Sequence, residues 1–255
     1  MSHLFLSPHP DDAVLSCGGL MYQLVQAGEA VTVVTVMMGD VPSDVPISPF
    51  IEEHFVRWEL TPDPVPGRKA EDTRAVESLG GSVVTGSFPD ALYRTDGQGT
   101  ALYHDLATLF GDPDPHDPVL ARLDSIRAQL DPRAVIYAPL GAGHHVDHLL
   151  VREAILRWQA SQPEVAVFWY EEYPYSANGM AVVAQARASL GRVTRPVIHR
   201  MNEAALAAKI RAIACYGSQI STFWPGLDAM ADSVRRYAVQ TGGGDPSERL
   251  WQSVS

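Results

Sequence analysis

Cysteine is scarce in this sequence of 255 residues, and acidic residues outnumber basic ones. The two cysteines, Cys17 and Cys215, lie far apart and form no CxxC motif. This usage indicates free thiols in a reducing cytoplasm rather than a disulfide framework. Nineteen basic residues against thirty acidic ones give a formal net charge of −11. Such a chain lacks the basic surface that nucleic acids and anionic membranes attract.

Long apolar runs are also missing, since none reaches the length that crosses a membrane. The first residues show no basic segment followed by a long apolar stretch, so we expect no signal peptide and no membrane insertion. The sequence contains no GxGxxG or GxxxxGK[ST] pattern, which argues against a nucleotide-binding protein. We therefore expect a cytoplasmic protein without nucleic-acid or membrane partners.

Short apolar segments alternate with helix-like patterns along most of the chain. This alternation predicts a doubly wound, mostly parallel, Rossmann-like α/β sheet with helices on both faces. Residues 41–66 and 87–118 show no clear period and are predicted to be long substrate loops. We expect one domain over 1–255, in which the part from about 170 to 255 completes or caps the pocket. Strands are predicted at 4–6, 30–38, 82–85, 134–138 and 165–169, and helices at 14–26, 67–79, 119–130, 149–159 and 202–215.

Two polar clusters follow the first and fourth predicted strands. They are His9-Pro10-Asp11-Asp12 and His145-Val146-Asp147-His148. Because the carboxyl ends of parallel strands lie at one edge of a sheet, the clusters are expected to converge on one crevice. Taken singly, each has a structural explanation: a proline turn in which Asp12 caps the next helix, or a polar helix start. Their matching places in the topology favour one shared site.

The residue types in these clusters suit a metal-dependent hydrolase. A catalytic zinc takes three protein ligands and leaves one position for water. His9, Asp12 and His148 can face one ion, whereas Asp11 and His145 are left beside it. Zinc is the predicted cofactor, although Fe²⁺ or another divalent ion would fit the same ligands.

The two remaining residues suit the other steps of amide hydrolysis. A carboxylate such as Asp11 can take a proton from the attacking water. A protonated imidazole such as His145 can stabilise the oxyanion and later protonate the leaving amine. The neighbouring Asp147 could orient that imidazole and raise its pKa.

Both clusters resemble motifs of the PIG-L/LmbE-like family of metal-dependent de-N-acetylases. The family's His-Pro-Asp-Asp-Glu motif is matched by His9-Pro10-Asp11-Asp12, and its His-x-Asp-His motif by His145-Val146-Asp147-His148. The resemblance implies that His9, Asp12 and His148 are zinc ligands. It also implies that Asp11 is the general base and that His145 stabilises the tetrahedral intermediate.

Weaker matches extend the resemblance along the chain. Arg68 begins a segment similar to the family's Arg-x-x-Glu helix, whose arginine lies near the substrate. Asp90 falls in a Phe-Pro-Asp segment similar to the one that supplies a substrate-facing aspartate. Both residues are expected to bind substrate. An exposed helix would also explain the segment at Arg68, and a proline turn would explain the segment at Asp90.

The sequence departs from the family pattern at two positions. Ala13 stands in place of the glutamate that ends the first motif. Gly143 stands where some sugar deacetylases of the family carry a mobile tyrosine, so Tyr173 or Tyr175 is a candidate to reach the site instead. Of the other histidines, His144 is expected beside the site or exposed. The rest are expected at the surface: His3, His54, His104, His116 and His199.

The resemblance implies a zinc-dependent hydrolase that removes an N-acetyl or other N-acyl group from an amino sugar or glycoconjugate. One alternative is a metal-dependent amidohydrolase that acts on a non-sugar amide. The other is a non-catalytic ligand-binding α/β module, against which the intact Asp11 and His145 argue. Oligomerisation leaves no readable signal in the sequence.

Overall fold

The computed structural model describes residues 1–43, 45–60 and 63–254, without the side chains of residues 128 and 129. Residues 44, 61 and 62 of the predicted loop 41–66 therefore lie outside the described residues. The strands are β1 (Ser2–Ser7), β2 (Ala30–Thr35), β3 (Ser82–Thr85), β4 (Val135–Pro139), β5 (Val167–Tyr170), β6 (Thr194–Arg200) and β7 (Ser247–Ser253). The α-helices are α1 (Asp12–Gln26), α2 (Pro49–Trp58), α3 (Val65–Ser78), α4 (Leu106–Leu109), α5 (Val146–Ser161), α6 (Met180–Ala188), α7 (Glu203–Ile213), α8 (Gly217–Phe223) and α9 (Leu227–Thr241).

The sheet confirms the predicted fold class. Within the described residues its seven strands run in the order β3-β2-β1-β4-β5-β7-β6. The first five are parallel, whereas β7 is antiparallel to both of its neighbours. The chain moves outward from β1 to β3 and then returns to place β4 on the other side of β1. The carboxyl ends of β1 and β4 thus flank the switch point where open α/β sheets bind ligands.

Burial explains why the central strands are apolar on both faces. Phe5 and Leu6 of β1 and Val33 of β2 are almost completely inaccessible, because helices cover both sides of the sheet. The β-branched residues of β2 fit this pleated and enclosed surface. His3, which we expected at the surface, is buried in β1 and lies 3.1 Å from the Tyr137 hydroxyl.

Several predicted elements were wrong in extent or type. The segment 41–66, predicted as a loop, contains α2, which begins after Ser48 with Pro49 at its first position. Its apolar residues Ile51, Phe55 and Trp58 lie on one buried face, a helical spacing that the many prolines obscured. The predicted helix 119–130 is a succession of 3-10 turns over Leu120–Gln129. The antiparallel pair β6 and β7 was not predicted, since long-range pairing leaves little local signal.

The helix that carries the first motif is anchored by a buried ion pair. In the middle of α1, the N–H groups of Gly19 and Leu20 donate to Glu248 of β7 at 2.9 and 2.8 Å. Lys209 of α7 donates to the same carboxylate at 2.7 Å and to the carbonyl of Ser16 at 3.2 Å. These contacts fix α1, and with it the turn at its N-terminus, against the antiparallel end of the sheet.

In the described parts of the chain, no helix combines the length and the apolar character needed to span a membrane. Cys17 is buried in the core and Cys215 is partly buried, and both are free thiols, as predicted.

Replacing Lys209 by methionine tests the anchor of α1. The change leaves the Glu248 carboxylate buried without its cation, so we expect the free energy of unfolding to fall by about 3–5 kcal/mol. Urea denaturation measures this loss. The control is Lys69→Met, which removes an exposed pair with Asp40 and should have little effect. Equal stabilities of the two variants would contradict the role of the buried pair.

Candidate active site

The two sequence motifs meet at the carboxyl edge of the sheet. The first lies between β1 and α1, and the second lies between β4 and α5. β1 and β4 are paired in parallel register, with His3 opposite Val135 and Phe5 opposite Tyr137. A third neighbouring strand, β5, adds Glu172 two residues after its end. The predicted convergence of the motifs in one crevice is therefore a direct result of strand order.

The first motif forms a tight turn with an unusual backbone. Asp11 has φ 108°, a left-handed conformation that a non-glycine residue seldom adopts. The helix begins at Asp12, whose carboxylate accepts a hydrogen bond from the His9 N–H at 2.8 Å. Ser7 Oγ supports the turn by donating to the His9 carbonyl at 2.6 Å and accepting from the Ala13 N–H at 3.0 Å. The Asp12 side chain points into the site instead of capping the helix.

Asp12 lies between two imidazole rings. Its Oδ2 is 3.3 Å from His9 Nδ1 and 3.2 Å from His148 Nε2. The other nitrogen of His148, Nδ1, lies 3.3 Å from Glu172 Oε1 and donates to it. The other nitrogen of His9, Nε2, donates to Asp147 Oδ2 at 2.8 Å. These outer hydrogen bonds leave His9 Nδ1 and His148 Nε2 as the ring nitrogens that face Asp12 and could bind a metal ion.

The three groups fit a divalent cation. His148 Nε2 is buried and lacks a hydrogen-bond partner among the described residues. Although burial opposes it, the charge of Asp12 and the contact with Glu172 raise the pKa of His148 to about 9. The pKa of His9 is also raised, against the effect of its burial, by Asp90 and Asp12. The carboxylates thus favour positive charge at this position, which a metal ion held by two imidazoles and a carboxylate would supply.

A second set of nitrogens is close enough to hold an ion. One nitrogen from each of His9, His145 and His148 lies within 4.8 Å of the others. The geometry therefore brings together all the predicted metal ligands and also places His145 at their side.

Asp11 faces the cleft next to these groups. Its carboxyl is buried, and burial together with the charge of Asp12 raises the pKa of Asp11 well above its ordinary value. The charge of Arg68 acts in the opposite direction. A carboxylate whose pKa is raised is suited to hold and return a proton that it has accepted.

Arg68 and Asp90, the two predicted substrate-binding residues, line the same cleft. Arg68 Nη1 lies 3.6 Å from Asp90 Oδ2, and its guanidinium lies over the Trp58 ring, 4.6 Å from the centroid. Asp90 Oδ2 is also 3.7 Å from His9 Nε2. Both side chains are buried, which differs from the exposed helix that would also explain this segment.

His145 differs from the expectation of a protonated ring oriented by Asp147. Its Nδ1 accepts a hydrogen bond from the backbone N–H of Asp147 at 3.2 Å. Burial and the neighbouring charge of His9 lower the pKa of His145 well below its ordinary value. The ring is therefore neutral and carries its proton on Nε2, which makes that nitrogen a hydrogen-bond donor. Phe110 packs edge-on against the ring, with centroids 5.2 Å apart.

The Asp147 carboxylate turns to His9 rather than to the His145 ring. Oδ2 accepts from His9 Nε2, and it also accepts from the Ala91 N–H at 3.0 Å. Oδ1 forms an ion pair with Arg94, whose Nη2 lies 2.5 Å away. Asp147 thus contacts His145 through its backbone N–H and not its carboxylate, although its charge still raises the His145 pKa against the effect of burial.

Two buried residues of the site were missed by sequence reasoning. Glu172 orients His148 and also accepts from the N–H groups of Gly141 and Ala142 at 2.6 and 3.0 Å. Its position two residues after β5 was the available signal, because it repeats the placement of the first two clusters. Arg94 left no such signal, since it lies inside an irregular segment.

The cleft above these residues has a cavity volume of about 170 Å³. Its walls combine aromatic side chains with polar groups contributed by α2 and α8. His54, which we expected at the surface, is one of the wall residues and donates from Nδ1 to the Phe50 carbonyl at 2.7 Å. The other wall residues from these two helices are Arg57, Trp58, Gln219, Thr222 and Phe223.

Tyr175 is the candidate tyrosine that reaches the cleft. A Cβ atom added at Gly143, which has φ 89°, would lie 2.5 Å from Tyr175 Cγ. The tyrosine ring thus occupies the space above the glycine. Tyr173 instead packs in the core, where its hydroxyl donates to Ser233 at 3.0 Å. His144 is partly exposed and lies 3.1 Å from Asp112, outside the cleft.

Several known proteins are similar to this chain in sequence or in structure. A 2'-N-acetylparomamine deacetylase of Niallia circulans is 33% identical over 188 residues, which are 68% of this chain and 66% of that protein. The chain thus matches just under two thirds of that relative's length. The crystal structure of the zinc-inhibited form of the teicoplanin deacetylase Orf2 has a TM-score of 0.82 and 26% identity, covering 100% of this chain and 98% of that one. The crystal structure of the A40926 pseudoaglycone deacetylase Dbv21 has a TM-score of 0.74 and 28% identity, covering 98% and 96%.

The family model described as GlcNAc-PI de-N-acetylase, PIG-L, matches residues 4–159. This range begins in β1, ends in α5 and includes both polar motifs. Together with the convergence of those motifs, the match establishes that the chain belongs to the PIG-L family of de-N-acetylases.

Proposed function

We propose that this protein is a zinc-dependent de-N-acetylase that acts on an amino sugar or glycoconjugate. The observation that carries the proposal is the Asp12 carboxylate between His9 Nδ1 and His148 Nε2, with Asp11 and His145 at its side. Membership of the PIG-L family and the deacetylase activities named for its relatives support the reaction type. The whole chain is proposed to act as one domain, since residues of α8 join those of the matched region in one cleft.

In this proposal His9, Asp12 and His148 hold the ion. When bound, zinc polarises the amide carbonyl and increases the acidity of a water molecule. Two imidazoles and a carboxylate suit zinc, and Fe²⁺ would fit the same donors. The related deacetylase Orf2 has a zinc-inhibited form. Tests of this chain should therefore measure zinc content separately from activity.

Asp11 and His145, which lie beside the proposed ion, have different parts in the reaction. Asp11 takes a proton from the attacking water, because its raised pKa lets it hold that proton until the amine departs. His145 donates from Nε2–H to the oxyanion that forms at the amide carbon. The proton held by Asp11 passes to the leaving nitrogen, and acetate and a free amine are released. In contrast to our sequence expectation, a neutral His145 can stabilise the oxyanion but has no extra proton to give.

The cleft walls support a sugar as the group that carries the amide. Trp58 and Phe223 supply aromatic faces, whereas His54, Arg68 and Gln219 supply donors and acceptors for hydroxyl groups. Arg68 Nε lacks a hydrogen-bond partner among the described residues. The free thiols and the acidic composition support our proposal of a cytoplasmic enzyme.

Asn replacements of the two aspartates separate metal binding from proton transfer. We expect Asp12→Asn to lose zinc, because the carboxylate that lies between the imidazoles is gone. We expect Asp11→Asn to keep zinc and to lose about 10²–10⁴-fold in kcat, the usual contribution of a general base. Zinc content by atomic absorption and the rate of acetate release measure the two effects. Full activity of Asp11→Asn would overturn its assignment as the base.

Alanine at His145 tests the oxyanion donor. We expect kcat to fall about 10²–10³-fold while zinc stays bound, as for other donors of this kind. His144→Ala is the matched control, because its partly exposed ring faces Asp112 rather than the cleft. Loss of zinc from His145→Ala would instead favour a ligand set of His9, His145 and His148.

A comparison of amides tests the substrate class. We expect acetate release from a methyl glycoside of N-acetylglucosamine to exceed that from N-acetylcyclohexylamine in kcat/KM by well over tenfold. A site built to bind hydroxyl groups rejects analogues without them by up to about 10⁴-fold. Similar kcat/KM values for both compounds would favour the alternative of a general amidohydrolase. If the zinc-bound protein released acetate from neither compound, the result would favour the alternative of a non-catalytic ligand-binding module.

A further inference from the structure

Arg94 is a buried charge beside Asp147 that the proposed reaction does not use. Its side chain is fully inaccessible, and it lies between two inaccessible carboxylates. Nη2 is 2.5 Å from Asp147 Oδ1, and Nε is 3.1 Å from Asp117 Oδ2. A buried guanidinium costs free energy unless it is paired, so this arrangement requires both partners.

One end of this network fastens the segment 103–117, which supplies part of the cleft wall. Asp117 accepts a hydrogen bond from the Tyr103 hydroxyl at 2.7 Å. The Arg94 guanidinium lies over the Tyr103 ring, 5.1 Å from its centroid. Between these residues the chain carries Leu109 and Phe110 to the cleft wall. Arg94 therefore holds together the two ends of the segment that presents these side chains.

The other end of the network reaches His9 through Asp147. The two oxygens of Asp147 have different partners, Arg94 at Oδ1 and His9 Nε2 at Oδ2. Because His9 Nε2–H donates a hydrogen bond to Oδ2, Nδ1 is the nitrogen that faces Asp12 and would bind a metal ion. A carboxylate held at Oδ1 by Arg94 and at Oδ2 by the Ala91 N–H presents Oδ2 to the His9 ring in a defined direction.

We propose that Arg94 is a positioning residue for the metal site. Acting through Asp147, it holds His9 in the tautomer and orientation that a metal ion requires. It also links the His9 ring to the wall segment 103–117. The inference rests on the proposed function only in taking His9 as a metal ligand. It predicts that loss of Arg94 weakens metal binding at a distance, without removing any ligand.

The main experiment measures zinc affinity rather than turnover. The full chain is stripped of metal, and zinc binding is followed by competition with a chromophoric chelator. We expect Arg94→Gln to weaken zinc binding about 10- to 100-fold, the usual cost of losing a group that orients a ligand. We expect Arg94→Lys to recover part of this loss, because lysine restores the charge but not the planar geometry of the guanidinium.

A matched control separates positioning from general stability. Arg249 forms a bidentate, mostly buried pair with Glu171, at 2.6 and 3.0 Å, away from the cleft. Arg249→Gln should lower the unfolding temperature of the metal-free protein, as Arg94→Gln should, but leave zinc affinity unchanged. If Arg94→Gln does not fold, the affinity of Arg94→Lys decides the question in its place.

A double-mutant cycle tests the path through Asp147. In an Asp147→Asn background, Arg94→Gln should cost roughly twofold or less in additional zinc affinity, since the two residues act as one unit. Fully additive losses would overturn the proposed path, and a wild-type affinity in folded Arg94→Gln would overturn the inference as a whole. Absence of zinc binding by the wild-type chain would instead overturn the proposed metal-dependent function.

Discussion

The parallel pairing of β1 with β4 is the constraint on which the site depends. Backbone hydrogen bonds between these strands bring together two segments more than a hundred residues apart in the chain. Their adjacent carboxyl ends place His9, Asp12 and His148 in one crevice at the switch point of the sheet. Neither motif has a complete set of ligands by itself. The central strands are enclosed by helices on both faces, and their burial stabilises the strand pairing on which the site depends.

Around this pairing, the site is organised in layers of charge. The inner groups are the two imidazoles and the Asp12 carboxylate, and the outer carboxylates Asp147 and Glu172 each accept a hydrogen bond from one imidazole. This arrangement directs the remaining nitrogen of each ring toward the same point. Burying so many carboxylates is costly unless cations and N–H donors accompany them. Arg94 and the N–H groups of Ala91, Gly141 and Ala142 provide that compensation.

The cleft above the site is made from parts with different origins in the fold. The floor comes from strand ends of the parallel sheet, whereas the walls come from α2, α8 and the segment around Phe110. In the proposed function, the sheet edge carries the reaction and the surrounding elements select the substrate. Among the wall residues, Tyr175 occupies the space that a side chain at residue 143 would need.

The sequence by itself determined the parallel sheet, the two motifs and their convergence. The reason is that β-branched runs and residues at strand ends can be recognised in the linear sequence. It also indicated that Arg68 and Asp90 lie near the site. Only the tertiary structure decided that Asp147 pairs with His9, that His145 is neutral and that Glu172 supports His148. It likewise placed α2 and the pair β6–β7, and buried His3 and His54. These features arise from desolvation and from contacts between distant segments, and neither is encoded by the spacing of residues along the chain.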